Sequence, residues 1–399
     1  MQVQGYPGHR AAIRRVPFGY NLAMQVSAPD RDQLRRLAEL RLDRPVVLSL
    51  YLNLDPSQFA TPPARKTSVR SLLDEAERRV RERDGLSRDD KLALHASLER
   101  AAAFLENDLP SDGAHGLAVF ASERNGLFEA LKLPRSVPNR VAIGRTPLVG
   151  PLARLARTER WCVTLVNRRD ARIFRGSPDD LREVEKIHDD VPGRHDQGGL
   201  SQSRYQRSID KEKDDHLKDT GDALMRHFKR QPFERLIVGG PREMVADFES
   251  KLHQYLQERL AGRIEVDVEH TGADQVLAAA RPLIEELEQR RERDALERLG
   301  ERGVAGVENV LPPLNERRVE LLILDEQFGG VTGVQCLECG WLGPEGESCP
   351  ADGSELADLE DLTEAMIELS VQQAAELLAV RHERAALEAH GGAAALLRF

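Results

Sequence analysis

Two stretches of the chain carry residue types at spacings that can do chemistry. The first is Gly193-Arg-His-Asp-Gln-Gly-Gly-Leu-Ser-Gln-Ser-Arg-Tyr-Gln-Arg207, which follows a turn signal at Pro192. It is polar and holds adjacent glycines, Gly198 and Gly199. Paired glycines adopt backbone angles closed to other residues and let a chain approach another surface closely. Arg204, Arg207, Lys211 and Lys213 follow at helix-like spacing. A loop of this kind feeding a partly basic helix suits contact with phosphates. The same composition also fits an ordinary exposed surface loop.

The second stretch is a pair of similar knuckles, Cys336-Leu-Glu-Cys339-Gly340 and Cys349-Pro-Ala-Asp352-Gly353. Two thiolates so spaced grip one metal ion, and the following glycine lets backbone N–H groups turn toward the sulfurs. Asp352 stands where a fourth cysteine would complete the second knuckle, and a carboxylate is an accepted zinc ligand. Cys336, Cys339, Cys349 and Asp352 therefore read as a closed, structural zinc site. The other reading is a ribbon that folds without metal. Redox chemistry at the Cys-x-x-Cys pair does not fit, because no helix start or thioredoxin-like context surrounds it.

The elements that must position these stretches are strands mixed with helices. Residues 30–42 predict an amphipathic helix, with Leu34, Leu37, Leu40 and Leu42 among charges, and Val46–Leu52 a buried strand. Charged helices are expected over 66–83 and 88–107, and a hairpin over 116–121 and 127–133 joined by Asn125-Gly126. Trp161–Val166 and Ala171–Arg175 read as a second hairpin. A long helix is expected from about Ser203 to Lys229, a buried strand at 235–240 and a helix over 241–260. A strand comes next at 264–268 and a charged helix over 274–299. The last part reads as a short helix at 304–315, a strand at 319–324, the cysteine insert, a helix over 363–380 and an edge strand at the very end. The division this implies is a flexible extension (1–29), an N-terminal α/β domain (30–156), a middle domain with the glycine loop (157–300) and a C-terminal domain (301–399) with the insert at 335–353.

Composition bounds the function. A chain of 399 residues with 40% hydrophobic and 31% charged residues fits a soluble multidomain protein. The formal net charge of -10 argues against a protein that simply coats nucleic acid, while leaving room for local basic patches. No apolar run has the length of a membrane helix, and Arg10, Arg14 and Arg15 lead into no apolar segment, so neither a membrane span nor a secretory signal is expected. Few cysteines, three of them clustered late, fit metal in a reducing cytoplasm rather than a disulfide framework. Cys162 sits in an apolar run and reads as inert core. His188, His195 and His216 read as solvated and receive no role.

Taken together, the chain resembles the archaeal–eukaryotic class-1 peptide release factors and Pelota, and more closely their bacterial relatives. In those release factors a Gly-Gly-Gln-Ser loop precedes Arg-Phe and a basic helix. Here Gly198-Gly199-Leu200-Ser201 precedes Arg204-Tyr205, Arg207 and Lys211–His216. Arg235–Gly240 with Pro241, Gly303–Val310, Arg318–Ile323 and the ending Gly391-Gly-Ala-Ala-Ala-Leu-Leu-Arg-Phe399 also match. The resemblance implies three mixed α/β domains in a tRNA-like arrangement, the third a ribosomal-protein-like α-β-α sandwich with a zinc-ribbon-like insert. It implies a ribosome A-site binder whose loop meets rRNA and peptidyl-tRNA, with a translational GTPase of the elongation factor Tu type as a natural partner.

The chain departs from the family pattern at two places. Leu200 fills the family's glutamine slot, so Gln202 in Gly199-Leu-Ser-Gln202 becomes the candidate for orienting water, with Gly198 and Gly199 shaping the loop. Arg194, Arg204, Arg207 and Lys211 become the candidates for rRNA phosphates. No Asn-Ile-Lys-Ser decoding motif occurs, so stop-codon-specific termination is not expected. The resemblance then points to codon-independent peptidyl-tRNA hydrolysis in ribosome rescue. The alternative is a non-catalytic Pelota-like adaptor or hibernation factor.

Overall fold

The computed structural model describes residues 21–23, 26, 29–44, 46–55, 58, 61–83, 85–107, 114–156, 159–189 and 202–398; for 21–23, 62 and 202–210 it describes the backbone alone. The chain divides into two compact units, one built on Leu37–Leu148 and the other on Val149–Phe399 with Ala28–Arg36. Both mix helices and strands, as the sequence predicts. Among the described residues no helix is long and apolar enough to cross a membrane.

The first unit is a five-stranded sheet in the order β1-β4-β3-β2-β5. These strands are β1 (Asn21–Ala23), β2 (Val47–Asn53), β3 (Gly116–Ser122), β4 (Leu127–Leu133) and β5 (Arg140–Gly144). The short β1 falls in the segment read from sequence as an extension, and it pairs in parallel with β4. Helix α1 (Arg31–Glu39) precedes β2, and helices α2 (Pro62–Glu82) and α3 (Arg88–Asn107) follow it. Thr61 caps α2 by accepting the Ala64 N–H, and prolines occupy its first turn, where a missing N–H is harmless. The apolar stripe Val69, Leu72, Ala76 and Val80 joins one buried core with Leu94, Leu98 and the sheet residues Leu48, Leu50 and Val119. The β3–β4 hairpin turns at Gly126, whose φ of 64° is left-handed.

The second unit opens with helix α4 (Gly150–Leu155) and a sheet in the order β10-β9-β6-β7-β8. Its strands are β6 (Trp161–Val166), β7 (Asp170–Ser177), β8 (Asp180–His188), β9 (Arg235–Gly239) and β10 (Leu260–Ile264). Strands β6, β9 and β10 run parallel, while β7 and β8 extend the sheet antiparallel. The sequence predicts β6 and β7 and misses β8, a mostly polar edge strand. Helix α5 (Gln202–Arg230) leads into β9, and α6 (Arg242–Lys251) follows it. A single helix over 241–260 is not what forms: Leu252 and His253 are extended, and only the short α7 (Gln254–Gln257) comes after them. The next strand is 260–264 rather than 264–268. Its partner β9 ends at Gly239, opposite Ile264, so the alternating residues beyond have no ladder to join. Helix α8 (Ala273–Glu297) covers the other face of the sheet.

Short α9 (Leu299–Arg302) leads to a four-stranded sheet in the order β11-β17-β12-β16, namely Gly303–Ala305, Ala393–Leu397, Val319–Asp325 and Glu376–Val380. Helix α10 (Val307–Asn315) begins at Gly306, whose φ is 85°. Helix α11 is Leu362–Gln372 and α12 is Arg384–Glu388. Leu321 and Ile323 face the core shared with Ala295, Leu299 and Leu387, while the alternating Leu322 and Leu324 are buried toward the other side. The result is the expected helix–sheet–helix layering. The helix predicted over 363–380 stops short, with Ala374 at a φ of 55°, and its end becomes β16, parallel to β12. The terminal strand is no edge: β17 lies between β11 and β12, and fully buried Ala393, Ala394 and Ala395 let both layers close on it. The insert is a small sheet of β13 (Gly333–Cys336), β14 (Leu342–Gly343) and β15 (Leu356–Leu359).

The turn after β9 is a tight backbone feature of the second unit. Gly240 has a φ of 135°, and a Cβ there would sit 2.1 Å from the Val166 carbonyl oxygen. Gly240→Val combines a backbone angle that L-residues avoid with a backbone clash. It is expected to lower unfolding stability by roughly 2–4 kcal/mol, read as an earlier urea transition by tryptophan fluorescence. An unchanged transition would refute the constraint.

Candidate functional site

Of the glycine-loop candidates, Arg194, Gly198 and Gly199 lie outside the described residues, as does Leu200. Gln202 is the first residue of α5, and positions 204, 207 and 211 come later within that helix. At 3.6 residues per turn, positions 204, 207 and 211 fall within an arc of about 60°, and position 202 lies on the opposite side of the axis. The helix thus brings the three basic positions onto one side and separates them from the glutamine. Lys211 is exposed, and Lys213 pairs with Asp247 of α6 at 2.7 Å.

Sequence reasoning missed the residues that anchor this helix. His216 is not solvated: its side chain is fully buried, and Nδ1 lies 2.5 Å from Asp189 Oδ2. Asp189 is the last described residue before the glycine stretch, and its N–H donates to the Arg169 carbonyl at 2.8 Å. His188 Nδ1 lies 2.8 Å from Asp170 Oδ1, with its own ring more than half exposed. The available signal was positional. His216 precedes Leu217, and with Thr220 and Leu224 it continues the buried stripe of α5. His195 lies outside the described residues. Cys162 is core as expected, and burial pushes its thiol up to about 12.

The structure brings all four predicted metal ligands together. One ligand atom from each of Cys336, Cys339, Cys349 and Asp352 lies within 4.8 Å of the others. The two knuckles repeat one another. Gly340 N–H donates to the Cys336 carbonyl at 3.0 Å, and Gly353 N–H to the Cys349 carbonyl at 2.9 Å. Both glycines are left-handed, at φ of 84° and 76°. The Cys339 N–H points at Cys336 Sγ, and the Ala351 N–H at Cys349 Sγ, each at 3.4 Å.

The distances decide what the cluster fits. Cys339 Sγ and Cys349 Sγ are 3.5 Å apart, and Cys336 Sγ is 3.5 Å from Asp352 Oδ2. A disulfide would need about 2.05 Å. Metal–sulfur bonds of about 2.3 Å at tetrahedral angles put sulfurs about 3.8 Å apart and a sulfur and carboxylate oxygen about 3.5 Å apart. The donor set therefore fits one tetrahedral metal ion with no open position, a structural rather than a catalytic site. The Ser354 N–H and hydroxyl hold the Asp352 carboxyl well below its usual range, so it is an anion ready to ligate. Burial raises the Cys336 thiol, but the N–H groups of Cys339 and Glu338 overcome this and hold it below its ordinary value.

Comparison with known proteins adds the family. Residues 147–285 match the family described as bacterial archaeo-eukaryotic release factor family 10. The peptide chain release factor subunit 1 of Methanopyrus kandleri is 28% identical over 189 residues, 45% of this chain and 46% of that one. The same factor from Methanocaldococcus jannaschii is 26% identical over 274 residues, 59% and 65% of the two chains. The chain thus spans less than two thirds of the length of these relatives. The crystal structure of Archaeoglobus fulgidus Pelota is similar at a TM-score of 0.32 and 17% identity, covering 68% of this chain and 75% of that one. A TM-score of this size carries no argument about arrangement. Over residues 147–285, a segment that contains the glycine stretch and α5, the chain is similar to the bacterial archaeo-eukaryotic release factors.

The purified protein is expected to carry stoichiometric metal, with Cys336→Ser losing it. Elemental analysis after gel filtration checks this, and equal metal in both proteins would overturn the site.

Proposed function

We propose that this chain is a release-factor-like ribosome factor that hydrolyses the peptidyl-tRNA ester without reading a codon, in ribosome rescue. The observation that supports the reading is the family match across the glycine stretch, with Gln202 of that stretch at the start of α5. In this mechanism Gln202 places water against the ester. A carboxamide suits that work because it both donates and accepts a hydrogen bond, and positioning alone supplies much of the rate. Gly198 and Gly199 let the loop approach closely, and a backbone N–H beside them stabilises the developing oxyanion. Arg194, Arg204, Arg207 and Lys211 contact rRNA phosphates, an attraction that weakens as salt rises.

The ion in the thiol cluster is zinc by ligand preference, since three thiolates and a carboxylate in a closed tetrahedral set suit it. It braces the insert and takes no part in hydrolysis. The protein acts in the cytoplasm, and a GTPase of the elongation factor Tu type delivers it to the ribosome. One observation favours a second reading, a non-catalytic Pelota-like adaptor or hibernation factor: Leu200 fills the glutamine slot and can neither donate nor accept.

Ribosomes carrying peptidyl-tRNA separate the two. Wild type is expected to release peptide, and Gln202→Ala to slow release by at least about a hundredfold. Release at background by both proteins removes the enzyme and leaves the adaptor. Absence from ribosomes of growing and starved cells on sucrose gradients sinks both.

A further inference from the structure

The residues on either side of the glycine stretch are tied to each other by two imidazole–carboxylate pairs. His216 of α5 meets Asp189 at the end of β8 at 2.5 Å. About three turns later, His227 Nε2 of α5 meets Glu185 Oε2 of β8 at 2.7 Å, with Arg226 also 3.4 Å from Glu185. The first pair joins the strand that leads into the stretch to the helix that leads out of it. The second repeats that tie deeper in the stem.

Their spacing gives the pairs mechanical meaning. His216 and His227 are roughly 16 Å apart along the helix, and Asp189 and Glu185 roughly 13 Å apart along the strand. The two ladders match with helix and strand antiparallel. The core beneath α5, made by Leu217, Ala223 and Leu224 against Cys162, Ile173 and Leu236, resists separation. Apolar packing is non-directional, however, and sets no register along the helix axis. The imidazole–carboxylate bonds are directional and set it. One more contact pins the helix backbone to the sheet: Arg175 of β7 donates to the His227 carbonyl at 3.1 Å.

We propose that His216 and Asp189, backed by His227 and Glu185, are positioning residues that fix the register of α5 on β8, the two elements that flank the glycine stretch in sequence. Their service to ribosome engagement rests on the reading given above; the register itself does not. His216 Nε2 is buried with no hydrogen-bond partner among the described residues. That makes the test clean, because leucine at this position removes an unsatisfied polar atom along with the tie, and Asp189, 44% exposed, stays solvated. Asparagine keeps a donor near the place of Nδ1.

The experiment compares full-length wild type, His216→Leu and His216→Asn by amide hydrogen exchange and by ribosome affinity. His216→Leu is expected to unfold near the wild-type urea concentration and to exchange the Asp189 amide at least about tenfold faster. Its ribosome affinity is expected to fall by a similar factor, and His216→Asn to restore most of both. Unchanged exchange in His216→Leu, or failure of His216→Asn to rescue, overturns the proposal. Exchange that responds without any change in affinity overturns the claim that this register serves ribosome engagement. If wild type does not bind ribosomes at all while exchange responds, the ribosome reading falls and the register stands. Should His216→Leu not fold, Asp189→Ala breaks the same tie from the exposed side and is read in the same way.

Discussion

Strand β6 is buried on both faces, and the second unit is built around that constraint. Cys162 and Val166 point to the layer of α5 and α6, while Trp161, Val163 and Leu165 point to the layer of α8. A strand in this position takes no polar face, which accounts for its continuous apolar run. The carboxyl ends of β6 and β9 meet at Gly240, where the lack of a side chain lets the turn press on the Val166 carbonyl. The place of α5 over this sheet descends from the same packing.

The constraint also reaches the next sheet. The far end of α8 carries Glu292, which is 3% exposed and accepts the backbone N–H groups of Arg381, His382 and Glu383 at 2.8–3.0 Å. Burial raises this carboxyl despite those bonds. A buried carboxylate costs several kcal/mol unless its oxygens are satisfied, and here a loop of backbone donors satisfies them. The same helix end contributes Ala295 to the core of the four-stranded sheet. The insert works on a different principle. Its strands are short, many of its exposed residues are acidic, and a sheet of that size gains little from apolar burial. Its paired knuckles instead bring four donors to distances that fit one tetrahedral metal ion.

Much of this was legible in local patterns. The runs at 161–166 and 319–324 were readable as buried strands because both faces demand apolar residues. The helix over 88–107 was readable from its apolar stripe. The thiol cluster was readable because ligand spacing is a local property, and the structure adds only that the second knuckle arrives beside the first. Errors arose where one composition serves two structures. Residues 376–380 read as the end of a helix because Glu, Leu and Ala favour one. They form β16 because β12 offers a parallel partner and Ala374 breaks the helix. The small residues 393–397 read as an edge, yet their smallness is what admits them between two layers.

The sequence by itself determined the chemistry available: paired glycines, a glutamine at a helix start, basic residues at helical spacing, and three thiols with a carboxylate. These depend only on residue type and separation along the chain. Only the tertiary structure decided which strands pair, where helices give way to strands, and that His216 is buried against Asp189 rather than solvated. The reason is physical. Imidazole is equally at home in water and in a hydrogen-bonded interior, so its place depends on a carboxylate brought to it by a strand far away in sequence.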